Sequence, residues 1–311
     1  MFMSYPYLSD LINHFFGTQL YVPIGMFGVF VAIAIIVSTF VAKKEVIRFE
    51  DLGFVPKFIS SKRGSLPTHE ILSDLAIVTA FFGIIGARIF HILEYPQEFM
   101  NDPASMIFSS SGFSFYGGLI VGAIAGVVFT LKRALPIIPM LDALAPSLML
   151  GYGLGRVGCQ ISGDGDWGIT ANLALKPNWL PDWFWAQTYE NNIAGVVIQA
   201  PGVYPTPLYE AFASICIFLF LWLIRKNNYA KGFLFSMYLL LSGFERLLIE
   251  KIRINSQYHF LGENFTQAEL ISTLLILFGL CGVVKSIRAK NTVKVAVSLL
   301  VFGMLSACTR L

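Results

Sequence analysis

Seven long apolar segments constrain this chain more than any other feature of its sequence. A helix of about 20 apolar residues crosses the hydrocarbon core of a bilayer, where irregular backbone would leave its polar groups without partners. The segments cover residues 22–42, 71–93, 113–131, 137–158, 205–224, 232–250 and 267–284. They predict an all-α, polytopic membrane protein with seven transmembrane helices.

The composition excludes several classes of protein. Only 13% of the residues are charged, whereas a soluble globular domain has about 25%. The net charge of +3 is small and scattered among apolar runs, so nucleic acid is not an expected partner. The four cysteines form no Cys-x-x-Cys motif, so no structural zinc site is expected.

The basic residues predict the orientation of the seven segments. Most lysines and arginines follow the first, third, fifth and seventh segments, and the alternate connections hold only Lys176, Lys251 and Arg253. Because cationic loops stay in the cytoplasm, the N-terminus is expected outside. The first 17 residues contain no lysine or arginine, so we expect no cleavable signal peptide and insertion directed by the first span.

The sequence also gives predictions for two connections between spans and for the C-terminal tail. Residues 43–70 mix cations with large apolar side chains, which suits either a helix on the inner leaflet or a solvated cytoplasmic loop. Residues 159–204 form the one long external connection and carry four of the five tryptophans, as expected for a head at the outer interface. We therefore divide the chain into a transmembrane domain, 1–291, and an apolar tail, 292–311, whose run 295–307 is a possible short eighth helix.

Three arginines lie inside predicted spans: Arg88, Arg156 and Arg246. The predicted directions place all three in the outer half of the bilayer, and ionisable groups inside a membrane usually mark a functional site. The planar guanidinium fork matches phosphate, so the cluster favours an anionic ligand such as a phospholipid head group. The alternative is structural, with Arg246 paired to Glu250 and with Arg88 paired to Glu94 or reaching the interface.

Six blocks of the chain, in order, resemble the bacterial prolipoprotein diacylglyceryl transferases. They are 86–88 (GAR), 114–119 (SFYGGL), 141–146 (LDALAP), 153–168 (GLGRVG, ISG and WG), 204–210 (YPTPLYE) and 244–250 (FERLLIE). The resemblance implies a seven-helix protein of the bacterial inner membrane with its active site toward the outer face. It also implies transfer of a diacylglyceryl group from phosphatidylglycerol to the lipobox cysteine of a prolipoprotein, with release of glycerol 1-phosphate. The implied partners are phosphatidylglycerol, prolipoprotein signal peptides and membrane lipid, without a cofactor.

The same blocks suggest the site residues. We assign catalysis to Arg246, Tyr116 and Glu250. The residues assigned to phosphatidylglycerol binding are Arg156, Arg88, Gly117, Gly118, Cys159, Tyr209 and Glu210. Glu210 and Glu250 are expected to orient arginines, and the GDGDWG turn at 163–168 lacks the further ligands of a calcium loop.

Three positions depart from the family pattern. Tyr116 stands where the family usually has histidine, Cys159 where it usually has asparagine, and Ile24 where a tyrosine is common. Tyr116 is either a hydrogen-bonding or proton-accepting group or an interfacial aromatic without chemistry. The alternatives to transfer are a catalytically impaired relative that binds anionic phospholipid and, less favoured, a small-anion transporter, whose ionisable residues would lie at the midplane.

The tail generates the first prediction. Lys290 and Lys294 precede the apolar run, and Leu305, Ser306, Ala307 and Cys308 follow in an order that resembles a lipobox. We prefer the simpler interpretation, a short or interfacial helix with an incidental cysteine, and expect intact mass spectrometry of membrane-extracted protein to show an unmodified Cys308. A mass increase of one diacylglyceryl group on the C-terminal peptide would instead establish Cys308 as a substrate of this activity.

Overall fold

The computed structural model describes residues 3–61, 64–108, 114–227, 229–254, 257–260 and 263–289. The tail at 292–311, with the possible eighth helix and Cys308, lies outside these residues. The helices are α1 (Leu8–Phe16), α2 (Met26–Asp51), α3 (Ile71–Glu94), α4 (Pro96–Asn101), α5 (Pro103–Phe108), α6 (Phe115–Lys132), α7 (Ile137–Ser162), α8 (Asp182–Trp185), α9 (Thr206–Ile224), α10 (Phe233–Glu250) and α11 (Gln267–Ala289). The strands are β1 (Phe58–Ser61), β2 (Gly64–Pro67), β3 (Gln257–Phe260) and β4 (Glu263–Thr266).

Each of the seven predicted segments coincides with a helix, namely α2, α3, α6, α7, α9, α10 and α11. Five of them are long and apolar enough to cross a membrane, and α6 and α10 do not meet that criterion. Helix α6 belongs to the shorter apolar helices, and α10 carries three charged residues, Glu245, Arg246 and Glu250, near its end. The protein is mostly helical with five helices fit to cross a membrane, while the two further crossings and the outside N-terminus stay predictions.

Two antiparallel hairpins correct the all-α prediction. Strand β1 pairs with β2, and β3 pairs with β4. The first hairpin lies within 43–70, so the helix considered for that whole region is wrong. Helix α2 instead continues to Asp51, the chain turns at Gly53 with a φ of 71°, and Pro56 follows. A left-handed glycine and a nearby proline end the helix because neither continues its hydrogen bonding.

The chain divides into two compact units. The first unit comprises the described residues of 1–38 and 145–289, and the second unit those of 39–144. In the first unit, α9, α10 and α11 pack around an apolar core that includes Leu221, Met237 and Val283. In the second unit, the end of α2 and the starts of α3 and α7 enclose a core that includes Val46, Ile71 and Met140.

Helices α3 and α6 of the second unit meet at glycines. A Cβ built on Gly86 would lie 2.5 Å from Gly117 O, and a Cβ built on Gly117 would lie 2.5 Å from Gly86 O. Real side chains do not tolerate this distance, so the backbones approach closely only because both residues are glycine.

Gly86→Ala should therefore destabilise the α3–α6 pair by about 1–3 kcal/mol, the usual cost of overpacking a close contact. Gly83→Ala is the matched control on the same helix, because its Cβ would lie at an ordinary 3.4 Å from Gly118 O. Thermal unfolding in detergent compares the two variants, and equal melting temperatures would show that this contact adds nothing to stability.

Candidate active site

Glu210 is the centre of a buried cluster of charged side chains in the first unit. Its side chain has no exposed surface, and Tyr152 Oη donates a hydrogen bond to its Oε1 at 3.0 Å. Guanidinium nitrogens of Arg156, Arg246 and Arg253 lie 3.2, 3.1 and 3.2 Å from its carboxylate oxygens. One carboxylate thus faces three arginines.

Asp166 is the second carboxylate of the cluster. It accepts short, charge-assisted hydrogen bonds from Arg156 Nη1 and Arg253 Nη2. Burial acts to raise the pKa of Asp166, but the charges of the two arginines outweigh burial and lower this pKa below its usual value. The stability that this pairing contributes is therefore present at neutral pH and is lost as the pH falls through the lowered pKa.

Glu250 is the third carboxylate of the cluster that pairs with an arginine. Its Oε2 lies 2.9 Å from Arg246 Nη2, one helical turn away on α10, and its side chain is 1% exposed. The pair that the sequence suggested as a structural alternative for Arg246 therefore exists, and it coexists with the Arg246–Glu210 contact. The three arginines balance Glu210, Asp166 and Glu250 in charge.

Helices α7, α9 and α10 alternate in direction, which brings the charged residues of the cluster to the same end of these helices. Arg156 lies in the last two turns of α7, Glu210 in the first two turns of α9, and Arg246 in the last two turns of α10. Helices α7 and α9 approach closely at Gly153, where an added Cβ would lie 3.1 Å from Ser214 Cβ. The glycine-rich stretch before Arg156 thus packs helices together.

Hydrogen bonds hold the loop between α7 and α9 against the cluster. Ile169 N donates to Ile252 O at 2.8 Å, beside Arg253. Thr206 Oγ1, at the start of α9, donates to Asp166 O at 2.7 Å. These contacts position Asp166 and Arg253 next to each other although they are far apart in the chain.

Cys159 lies beside the cluster but does not suggest a metal centre. Its Sγ is 3.8 Å from Arg156 Nη1, and its Sγ and carboxylate oxygens of Asp164 and Asp166 lie within 4.8 Å of one another. Two guanidinium groups already bind Asp166, and their positive charges disfavour a cation at the same oxygens.

Tyr209 is near the cluster in sequence but has a different contact. Its hydroxyl donates to Phe184 O at 2.6 Å, and its ring lies 5.1 Å from the Phe184 ring. Tyr209 therefore connects α8, in the loop between α7 and α9, to the first turn of α9.

Four predicted site residues belong to the second unit: Arg88, Tyr116, Gly117 and Gly118. Arg88 Nη1 donates to Met106 O at 2.9 Å. Tyr116 is half-buried in the first turn of α6, and the two glycines line the contact with α3. Their assignment to substrate stays a prediction.

The structure adds residues that sequence reasoning missed. Arg253 counted as a loop cation, yet its side chain is only 9% exposed and bridges Asp166 and Glu210. A signal existed in the spacing, because Arg246, Glu250 and Arg253 follow at i, i+4 and i+7 on one helical face. No comparable spacing indicated Tyr152 or Asp166, because their partners Glu210 and Arg253 lie far away in the sequence.

Glu210→Gln should lower the free energy of unfolding by about 3–5 kcal/mol, because it leaves buried guanidinium charges without their shared partner. Glu269→Gln is the control in the same unit, since Lys251, its partner at 2.9 Å, is 69% exposed and such surface pairs contribute at most about 1 kcal/mol. Denaturant unfolding in detergent measures both variants. Equal losses would show that the buried cluster does not stabilise the unit.

Comparison with known proteins identifies a family and several similar proteins. Residues 16–285 match the family model described as prolipoprotein diacylglyceryl transferase. Three similar proteins carry the name phosphatidylglycerol–prolipoprotein diacylglyceryl transferase. They are from Leptospira interrogans serovar copenhageni (26% identical, covering 88% of this chain and 92% of that protein), Shouchella clausii (28%; 81% and 82%) and Staphylococcus aureus (29%; 82% and 82%). The resemblance inferred from the six sequence blocks is confirmed.

Proposed function

We propose, on the premise that this chain belongs to the prolipoprotein diacylglyceryl transferase family, that it transfers the diacylglyceryl group of phosphatidylglycerol to the lipobox cysteine of prolipoproteins. The observation that carries the proposal within the structure is the convergence of Arg156, Arg246 and Arg253 on the buried carboxylate of Glu210 and the partly buried carboxylate of Asp166. The enzyme is thus a transferase of the first step of lipoprotein maturation.

The chemistry needs cations more than it needs a strong base. The cysteine thiol attacks the glyceryl carbon that bears the phosphate, and glycerol phosphate leaves with an additional negative charge. Preorganised arginines stabilise charge that develops on a phosphate in a site of low dielectric constant. Because Glu210, Asp166 and Glu250 hold the guanidinium planes in place, the arginines need little reorganisation when lipid binds.

The depth of the cluster supports an active site toward the outer face of a bacterial inner membrane. With basic loops in the cytoplasm and the N-terminus outside, α7 and α10 end at the outer surface and α9 begins there. The cluster then lies within about two helical turns of the outer interface. A phospholipid head group of the outer leaflet and an exported signal peptide both meet the protein at this level, with membrane lipid around it.

Tyr116, Arg88, Gly117 and Gly118 are proposed to contribute to lipid binding because of the family blocks in which they lie. Tyr116 would donate a hydrogen bond to the phosphate from the position where the family usually has histidine. The main alternative function, an impaired relative that binds anionic phospholipid without transfer, depends on this departure and on Cys159.

One assay separates these functions. Purified protein receives phosphatidylglycerol vesicles and a lipobox peptide, and release of glycerol phosphate is measured together with the mass of the peptide. Transfer gives both products, whereas binding without either product would establish the impaired relative.

Arg156→Ala and Arg246→Ala should each lose at least about 100-fold in turnover, as expected when a donor to developing charge is removed. Arg156→Lys and Arg246→Lys should also be impaired, because an ammonium group cannot replace a bidentate fork. Lys251→Ala, which removes an exposed cation near the same helix end, is the control. Turnover near the wild-type rate in either alanine variant, at normal expression, would contradict the proposed site.

Tyr116→Phe should slow turnover about tenfold, equivalent to about 1.4 kcal/mol, if the hydroxyl contacts the phosphate. Tyr116→His should be tolerated if the tyrosine occupies the role of the family histidine. Kinetics in the same assay decide between the roles, and a phenylalanine variant indistinguishable from wild type would assign Tyr116 to packing alone.

A further inference from the structure

Glu245 is a buried carboxyl group that the chemistry described above does not use. It lies on α10 directly before Arg246, and the residue is 6% exposed. Among the residues that the structure describes, none offers Glu245 Oε1 a hydrogen bond. A buried acceptor without a partner is rare in folded proteins and calls for an explanation, such as a ligand that supplies the missing donor.

The charged groups around Glu245 are those of the arginine cluster. Its carboxyl group interacts electrostatically with Glu210 and with the guanidinium groups of Arg156, Arg246 and Arg253. Glu245 therefore faces the same region as the proposed phosphate-binding arginines, and it does so without forming an ion pair among the described contacts.

The other carboxylates of the cluster already have arginine partners. Glu210, Asp166 and Glu250 all accept charge-assisted hydrogen bonds from arginines. A thiol would have to compete with an arginine to reach these oxygens. Asp164 Oδ1 is also engaged, by the backbone N–H of Asp166 at 3.2 Å.

We propose that Glu245 is a catalytic residue that accepts the proton of the lipobox thiol. The inference rests on the proposed transferase function and adds to it the group that takes the proton. None of the described residues donates a hydrogen bond to Glu245 Oε1, and a thiol S–H supplies the hydrogen bond that this oxygen lacks.

The step balances in atoms and electrons. The thiol proton passes to Glu245 as the sulfur–carbon bond forms. The bond between the glyceryl carbon and the phosphate oxygen breaks, and its electron pair stays on that oxygen. The departing phosphate monoester then takes the proton from Glu245, so the carboxyl group returns to its starting state and no co-reactant is needed.

The test compares two lipobox peptides in the full-length protein with phosphatidylglycerol vesicles. One peptide has the natural cysteine, and the other has selenocysteine, whose selenol is largely ionised at neutral pH and needs no base. Glu245→Gln should lower kcat with the cysteine peptide by about 100-fold or more, the usual contribution of a general base. Its KM for phosphatidylglycerol should stay within about threefold of wild type, and its turnover of the selenocysteine peptide should match wild type within about threefold.

Several outcomes would overturn the inference. Wild-type turnover of the cysteine peptide by Glu245→Gln excludes Glu245 as the base, and equal loss with both peptides assigns it to binding or folding. If Glu245→Gln does not accumulate, Glu245→Asp serves instead and should slow only the cysteine peptide; equal slowing of both overturns the inference.

Two controls separate this inference from the proposed function. Glu269→Gln removes a surface carboxylate outside the cluster and should turn over both peptides like wild type. Wild-type protein that transfers to neither peptide would refute the transferase function itself, whereas wild-type transfer with an unaffected Glu245→Gln refutes only the role of Glu245.

Discussion

The first unit depends on a single buried carboxylate, that of Glu210. An ionised group without exposed surface is tolerated only when cations and hydrogen bonds replace the water that it has lost. Tyr152 and Arg156 on α7, Arg246 on α10 and Arg253 after α10 provide them. The contacts of Glu210 therefore set the relative positions of three helices and of the turn after α10.

The same requirement shapes the chemistry of the cluster. Arginines that already share carboxylates are fixed in orientation, so their charge is available without a large reorganisation on lipid binding. In the proposed mechanism, an arriving phosphate would share guanidinium N–H groups with Glu210 and Asp166. Glu245 stands apart because none of the described residues donates a hydrogen bond to its Oε1, and the proposed mechanism assigns proton transfer to Glu245 and charge stabilisation to the arginines.

The residues differ in how far local sequence revealed them. Arg156 and Arg246 were recognisable because a charge within an apolar run is costly and therefore informative. Glu210 and Glu250 were assigned to the site because they lie in two of the six sequence blocks, near the ends of predicted spans. Their contacts with arginines support the orienting role that the sequence suggested. Arg253 and Asp166 lie in polar connections where charged residues are common; the spacing from Arg246 gave a local signal for Arg253, whereas no local signal distinguished Asp166 from a solvated side chain.

The sequence by itself determined the helical segments, their membrane character and the family, because apolar length and motif order are local properties that need no three-dimensional information. It did not determine the hairpin at Phe58–Pro67. The mixture of cations and apolar side chains in this region also suited a helix, whereas the chain turns at Gly53. Only the tertiary structure decided which charges meet. Glu210 and Arg253 are 43 residues apart, and their pairing depends on the packing of α9 and α10 and on the low dielectric constant of the place where they converge.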